Sequence, residues 1–398
     1  TLGGAELLML RTADLLRAHG HEVEIFTADS VPGIRRTAWS YINNSHARSA
    51  FAKMLRNFTP NIVHLHNFYH LLSPGILAEL TLFRPTLPAR IAQEGGGVVM
   101  TAHDYHLICP SPGCTIFPHG RIMPADSARL AKWSYLIFNR WDQHSIARSK
   151  LRILQHIINY RIRNLRASID RILAPSRFLR DRFLAHNLPA HWLPNPPPQS
   201  ASSFQSADRP PHLQCIFVGR IAPEKGLVEF IRALPIDPPI HLDIVGDGPD
   251  IHRVQAAAHA SPHREHIRFL GSLTHAEALE HIASAHVLVL PSLWFENDPL
   301  SLTEALSLST SLLVSDLGGM REIVNDSAVG FTFTPGNSAS LAAALRQVHA
   351  AFRAGTLNAF DASKHLSSRS ESSYIQNLLD HYAATLASSN PHPSSARA

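Results

Sequence analysis

The 398-residue sequence predicts an α/β protein of two doubly wound, Rossmann-like domains facing each other across a cleft, the first lacking its opening strand. Three observations carry this. Short apolar runs suited to buried parallel strands alternate with helical stretches. The alternation halts in a proline- and serine-rich stretch from Leu193 to Pro211 and then restarts. Glycine turns stand where strands hand over to helices.

In chain order, Gly3-Gly4 precede a helical pattern from Ala5 to about His19, ended by Gly20. Val23–Thr27, Ile62–His66, Val98–Thr101 and Ile172–Pro175 read as strands, the last followed by a helix from Ser176. A glycine turn at the head of such a domain normally follows a first strand. That strand is therefore missing from the sequence, or the sheet is built without it. Beyond an interdomain linker at 195–211, strands are expected at Cys215–Gly219, Leu242–Gly246, Ile267–Leu270, Val287–Leu290, Leu312–Ser315 and Val329–Phe333. The domains are placed at 1–194 and 212–370, with a C-terminal helix over 371–387 and a frayed tail over 388–398.

Composition narrows the class. An apolar content of 45% excludes a disordered or collagen-like chain. A net charge of +5 is too mild to argue for nucleic acid. Three cysteines (Cys109, Cys114, Cys215) do not make a disulfide framework and fit a reducing, cytoplasmic setting. No apolar run reaches the ~18 residues of a membrane span, and no leader is visible at Thr1. The charge is uneven, however. The window 129–182 holds 13 Lys and Arg against three Asp, a local +10, interleaved with Trp133, Tyr135, Phe138 and Trp141. The plainer reading is a long surface helix with one solvated basic face. The alternative is an amphipathic helix at an anionic membrane surface.

Ligands of open α/β sheets bind beyond the carboxyl ends of the strands. Gly219-Arg220 to Lys225-Gly226 follows a strand and opens a helix, placing two cations where a phosphate or diphosphate is favoured. In the run Glu296 to Glu304, Asp298 is a candidate N-cap and Pro299 suits the first helical position. Glu296 then lies in a loop and Glu304 a turn and a half into a helix, two carboxylates at different depths for hydroxyl-rich ligands such as a sugar and a ribose. The free N–H groups of Leu300 and Ser301 point out of the helix start. His103 ends a strand, which in a chain of 26 histidines is weak by itself. His103, His106, Cys109, Cys114 and His119 raise zinc, but their spacing lacks the usual paired-cysteine pattern and reads as a stiff loop, so no metal site is expected. Gly246-Asp247-Gly248 is an incomplete dinucleotide fingerprint, read as a tight turn.

Taken together these residues resemble the family 4 retaining glycosyltransferases, whose fold is the two-domain GT-B architecture. The likeness runs through Gly3-Gly4-Ala5-Glu6, His103-Asp104-Tyr105 followed by Cys109-Pro110, Ala174-Pro175-Ser176 with Pro194-Asn195-Pro196, Val218-Gly219-Arg220, Glu224-Lys225-Gly226, Val245 to Pro249, Leu270-Gly271 and Ser315 to Ile323. Its most specific part is the pair Glu296 and Glu304 with seven residues between. The resemblance implies transfer of a sugar from a nucleotide-sugar to a saccharide or lipid-linked acceptor, with anomeric configuration kept and no metal or other cofactor. It implies that Arg220 and Lys225 hold the donor diphosphate, that Glu304 binds the ribose and that Glu296 binds the donor sugar. Backbone N–H groups from Asn297 through Asp298 and Pro299 to Leu300 would line the sugar pocket. His103 would contact the sugar, and Gly3, Gly4 and Gly219 would pass close to the donor. Where the family commonly has Gly and then Thr-Pro, this sequence has Ser309-Thr310-Ser311. The implied setting is cell-surface polysaccharide or glycolipid assembly, in the cytoplasm or at the inner membrane face. A nucleotide-sugar epimerase of similar architecture, and a truncated non-catalytic sugar-binding relative, are the competing readings.

Overall fold

A computed structural model describes residues 4–34, 36–83, 96–196, 208–237 and 239–389. The chain divides into two compact units. The first comprises Thr1–Arg121, Ala125–Pro194 and Tyr374–Ala398, and the second Ile122–Pro124 and Asn195–Ser373.

The first unit holds a parallel sheet of β1 (Ile62–Leu65), β2 (Gly97–Thr101), β3 (Arg171–Ala174) and β4 (Ala190–Trp192), in that spatial order. Val98, Val99, Ile172 and Leu173 are buried, as strands covered on both faces must be. The C-terminal helix Glu371–Ser389 belongs here from Tyr374 onward. Its Tyr374, Ile375, Leu378 and Tyr382 pack with Leu16, Val99, Leu173 and Leu193. The helix continues two residues past its expected end, into the segment read as frayed.

The second unit holds a six-stranded parallel sheet: β5 (Gln214–Val218), β6 (His241–Val245), β7 (Ile267–Gly271), β8 (Val287–Leu290), β9 (Ser311–Ser315) and β10 (Phe331–Phe333). The spatial order is β10-β9-β8-β5-β6-β7. The first strand is central and the order reverses between β5 and β8, which makes their carboxyl ends the switch point of a doubly wound fold.

Four expectations are corrected. Val23–Thr27 forms no strand. A strand needs a neighbouring ladder for its backbone groups, whereas the Val23 carbonyl accepts from Arg17 Nη2 at 3.1 Å. Ala190–Trp192, unpredicted, does pair with β3. The basic window is not one helix. It breaks into Trp133–Phe138, Ile146–His156, a π-turn at Ile157–Ile162, strand β3 and Arg177–Leu184. Much of its charge is turned to internal use: Arg140 donates to Asp142 O, Arg161 to Leu130 O and Arg166 to Leu107 O, while Arg152 pairs with Asp142 at 3.1 Å. Lastly, the far end of the expected linker is docked. Arg209 donates to the carbonyls of Ala283, Leu308 and Ser309, the last two at the end of helix Leu300–Ser307, where a cation is favoured. Residues 197–207 of that linker lie outside the described residues.

Candidate active site

The switch point of the second unit gathers most of the expected residues. Gly219 to Ile221 leaves β5 and meets the turn after β6: Ile221 N donates to Asp247 O at 2.9 Å. Gly246 sits at φ +129°, and a Cβ there would collide with Gly219 O, so only glycine lets the two turns touch. The turn at Gly246-Asp247-Gly248 thus supports the Arg220 loop.

Arg220 is exposed and pairs with Glu224 at 2.6 Å. The segment expected to open a helix is a 3-10 turn, Pro223–Lys225, and the helix starts only at Leu227. Gly226, at φ +70°, intervenes because the chain must reverse into a left-handed conformation there. Lys225 comes out of this turn onto Glu296: Nζ to Oε1 is 2.6 Å. Ser292 Oγ and Trp294 Nε1 each donate to the same oxygen at 2.7 Å. Burial pushes the Glu296 pKa up, but the Lys225 charge and the three hydrogen bonds outweigh it, and the net shift is downward. Glu296 is held as an anion.

The loop carrying Glu296 is gripped through its backbone. Gly319 N donates to Glu296 O at 2.9 Å, and a Cβ on Gly319 would overlap Asn297 O. Asp298 is not the helix N-cap. The capping position falls on Pro299, which makes no side-chain cap bond. The Asp298 carboxylate faces inward and is consumed there: Oδ1 pairs with Arg369 Nη1 at 2.7 Å and Oδ2 accepts from Asn195 N at 3.0 Å. The row of N–H donors expected from Asn297 to Leu300 is also interrupted, because Pro299 has no N–H. Leu300 opens helix Leu300–Ser307 and is half-buried. Glu304, buried in that helix, accepts from His275 at 2.9 Å. The hydrogen bond to Glu304 raises the His275 pKa against the opposing effect of burial.

His103 lies in the first unit, just past β2. Its Nε2 and His66 Nδ1 are 2.9 Å apart, with the rings stacked. Burial lowers the His103 pKa to about 4, so the imidazole is neutral at physiological pH. Gly4 begins the helix Gly4–Ala18, and Gly3 lies outside the described residues. Cys109 and Cys114 are buried thiols, and no group of three potential ligands able to hold a metal ion occurs among the described residues.

Residues 2–196 match the glycosyltransferase family 4 profile, and residues 199–350 match that of the glycosyl transferases group 1. The chain belongs to glycosyltransferase family 4. Its fold is the GT-B fold. The sucrose-phosphate synthase structure from Thermosynechococcus elongatus superposes with a TM-score of 0.67 at 15% identity, over 97% of this chain and 94% of that one. HepE of Anabaena in complex with UDP superposes with a TM-score of 0.60 at 15% identity, over 96% of each chain. Among curated family relatives, a glycogen synthase of Mycobacterium tuberculosis is 34% identical over 139 residues, 34% of this chain and 33% of that protein. A phosphatidyl-myo-inositol mannosyltransferase of Mycobacterium leprae is 35% identical over 135 residues, 33% of this chain and 35% of that protein. The matched part thus spans about a third of these curated relatives' length.

Four residues at these sites were not singled out in the sequence. Trp294 and Ser292 flank the glutamate motif and were within reach of it. Arg369 is 71 residues from Asp298 and carries no local signal, whereas Asn195 stands in the Pro194-Asn195-Pro196 run of the resemblance, with nothing there to link it to Asp298. His275 was hidden among the chain's many histidines.

Proposed function

We propose that this protein is a retaining, metal-independent glycosyltransferase that moves a sugar from a nucleotide-sugar to a saccharide or lipid-linked acceptor in cell-surface polysaccharide or glycolipid assembly. The observation that carries the reading is the convergence of Lys225 on Glu296 at the switch point, beside the Gly219 turn. In this reading residues 212–370 take the donor and residues 1–194 the acceptor. Arg220 and Lys225 neutralise charge growing on the departing diphosphate. Each already serves a carboxylate, yet a guanidinium has five donors and an ammonium three, so both retain donors for phosphate oxygens. Glu304 accepts from the ribose and Glu296 from the donor sugar, with Asn297, Asp298 and Leu300 supplying backbone N–H groups. His103, neutral, hydrogen-bonds a sugar hydroxyl. HepE was solved with UDP and with UDP-glucose, which supports a uridine donor as the first to try.

The same reading places the protein in the cytoplasm, in peripheral contact with anionic membrane through 129–182. What supports this contact is the exposure of Trp133, Ile137 and Phe138 on one short helix that follows Arg129 and Lys132. No described helix is long and apolar enough to cross a membrane. Product analysis with a panel of nucleotide-sugars tests the activity. Transfer with anomeric retention is expected, undiminished by a chelator. Epimerised donor without transfer would establish the epimerase reading instead, and binding without turnover the non-catalytic one.

A further inference from the structure

The hydrogen bonding of Glu296 is lopsided. Lys225 Nζ, Ser292 Oγ and Trp294 Nε1 all donate to Oε1, at 2.6, 2.7 and 2.7 Å. Among the described residues Oε2 receives no donor. An ionised carboxylate offers about four lone-pair sites over its two oxygens, so three donors saturate Oε1 and the remaining capacity lies on Oε2. The donors come from two directions, the turn after β5 and the loop after β8. Ser292 is fully buried and Trp294 half-buried. Held from both sides, the carboxylate has a fixed plane.

We propose that Ser292 and Trp294 are positioning residues which aim Glu296 Oε2 at one hydroxyl of the donor sugar, and that this selects donors carrying a hydroxyl there over deoxy or carboxylate-bearing ones. The proposal rests on the reading that Glu296 faces the donor sugar. A deoxy sugar leaves a desolvated anionic acceptor without a partner, and a uronate sets like charges against each other. The three existing bonds and the lysine charge keep the group ionised, so it acts only as an acceptor.

Calorimetric titration of the full chain tests this with UDP, GDP and ADP, and with a panel of their sugar conjugates. Trp294→Phe keeps an aromatic ring and removes the N–H; Ser292→Ala removes the hydroxyl. Each is expected to weaken the tightest sugar conjugate about tenfold, because a carboxylate free to turn forfeits the one hydrogen bond between Oε2 and the sugar hydroxyl, while the nucleoside diphosphate binds within about twofold of the parent. Combined with Glu296→Gln, neither should weaken the conjugate by more than about threefold further, because both act through that carboxylate. If Glu296→Gln leaves the conjugate's affinity unchanged, the sugar reading of Glu296 falls and this proposal with it. If Glu296→Gln weakens it but Ser292→Ala and Trp294→Phe do not, or if they weaken the bare diphosphate equally, the positioning role alone is overturned.

Discussion

Removing Arg369 should damage the second unit far more than its position outside every sequence motif implies. Its side chain is 3% exposed and that of Asp298 2%, and they meet at 2.7 Å. In Arg369→Met the Asp298 carboxylate stays buried and, among the described residues, keeps the Asn195 N–H as its one partner at 3.0 Å. Stranding a buried charge in this way costs about 3–5 kcal/mol. A domain of this size loses roughly 2–4 °C of midpoint per kcal/mol, so its transition should drop by roughly 6–20 °C. The double variant Asp298→Asn with Arg369→Met removes both charges and keeps an acceptor for Asn195. It should recover more than half of the loss, since replacing both members of a buried pair is often near neutral. Differential scanning calorimetry at neutral pH resolves these cases. A drop below about 2 °C for Arg369→Met, or a double variant no more stable than the single one, would refute the argument that the pair matters through its buried charge.

Ser309 occupies the left-handed region, φ +55°, at an exposed position where the family commonly has glycine. Ser309→Gly should therefore stabilise the fold by about 1 kcal/mol, read from a urea midpoint; an unchanged or lower midpoint counts against it. His275 has a raised pKa through Glu304, so its contribution to stability is complete below its unfolded value near 6.5 and is lost as pH rises through the higher folded value. His275→Ala should accordingly destabilise more at pH ~5.5 than at pH ~8.5, and equal effects at the two would contradict the ion pair. Arg220→Ala and Lys225→Ala should each cut turnover about 10²–10³-fold while folding is retained; Lys225→Ala should also raise the Glu296 pKa by removing its counter-charge, and near-normal turnover in both would remove them from the diphosphate. Vesicle sedimentation should show salt-sensitive binding to anionic but not neutral lipid, reduced in Phe138→Ser. Equal, negligible binding to both would leave that helix an ordinary surface.

Much of the second unit was readable because buried parallel strands leave continuous apolar runs. Val287–Leu290 was located to the residue, and Leu312–Ser315 to within one. The first unit was harder. Ala190–Trp192 is three residues long, follows Pro189 and abuts the proline-rich stretch, so no periodicity announces it. Val23–Thr27 has strand composition, but strand formation depends on a neighbouring edge, which composition does not report. The basic window misled for a related reason: the positions of arginines say nothing of which carbonyls they will reach. At the site, the spacing of Glu296 and Glu304 and the cations at 220 and 225 could be read because they are local. Asp298 could not, since what decides its orientation is a guanidinium far along the chain.

The route of the chain through its two units has a consequence for synthesis. Residues 195–373 form one uninterrupted stretch of the second unit, whereas the first takes its final helix from the end of the chain. Leu16, Val99, Leu173 and Leu193 are made early, yet their partners Tyr374, Ile375 and Leu378 come about 180 residues after Leu193. At about 5–20 residues per second the nascent first sheet waits roughly 10–35 s with that apolar face open. The second unit has no such delay and can close as soon as its own run has emerged. During translation the later-made unit is thus able to reach its native packing no later than the earlier-made one, whose sheet is completed only when Tyr374 to Tyr382 emerge.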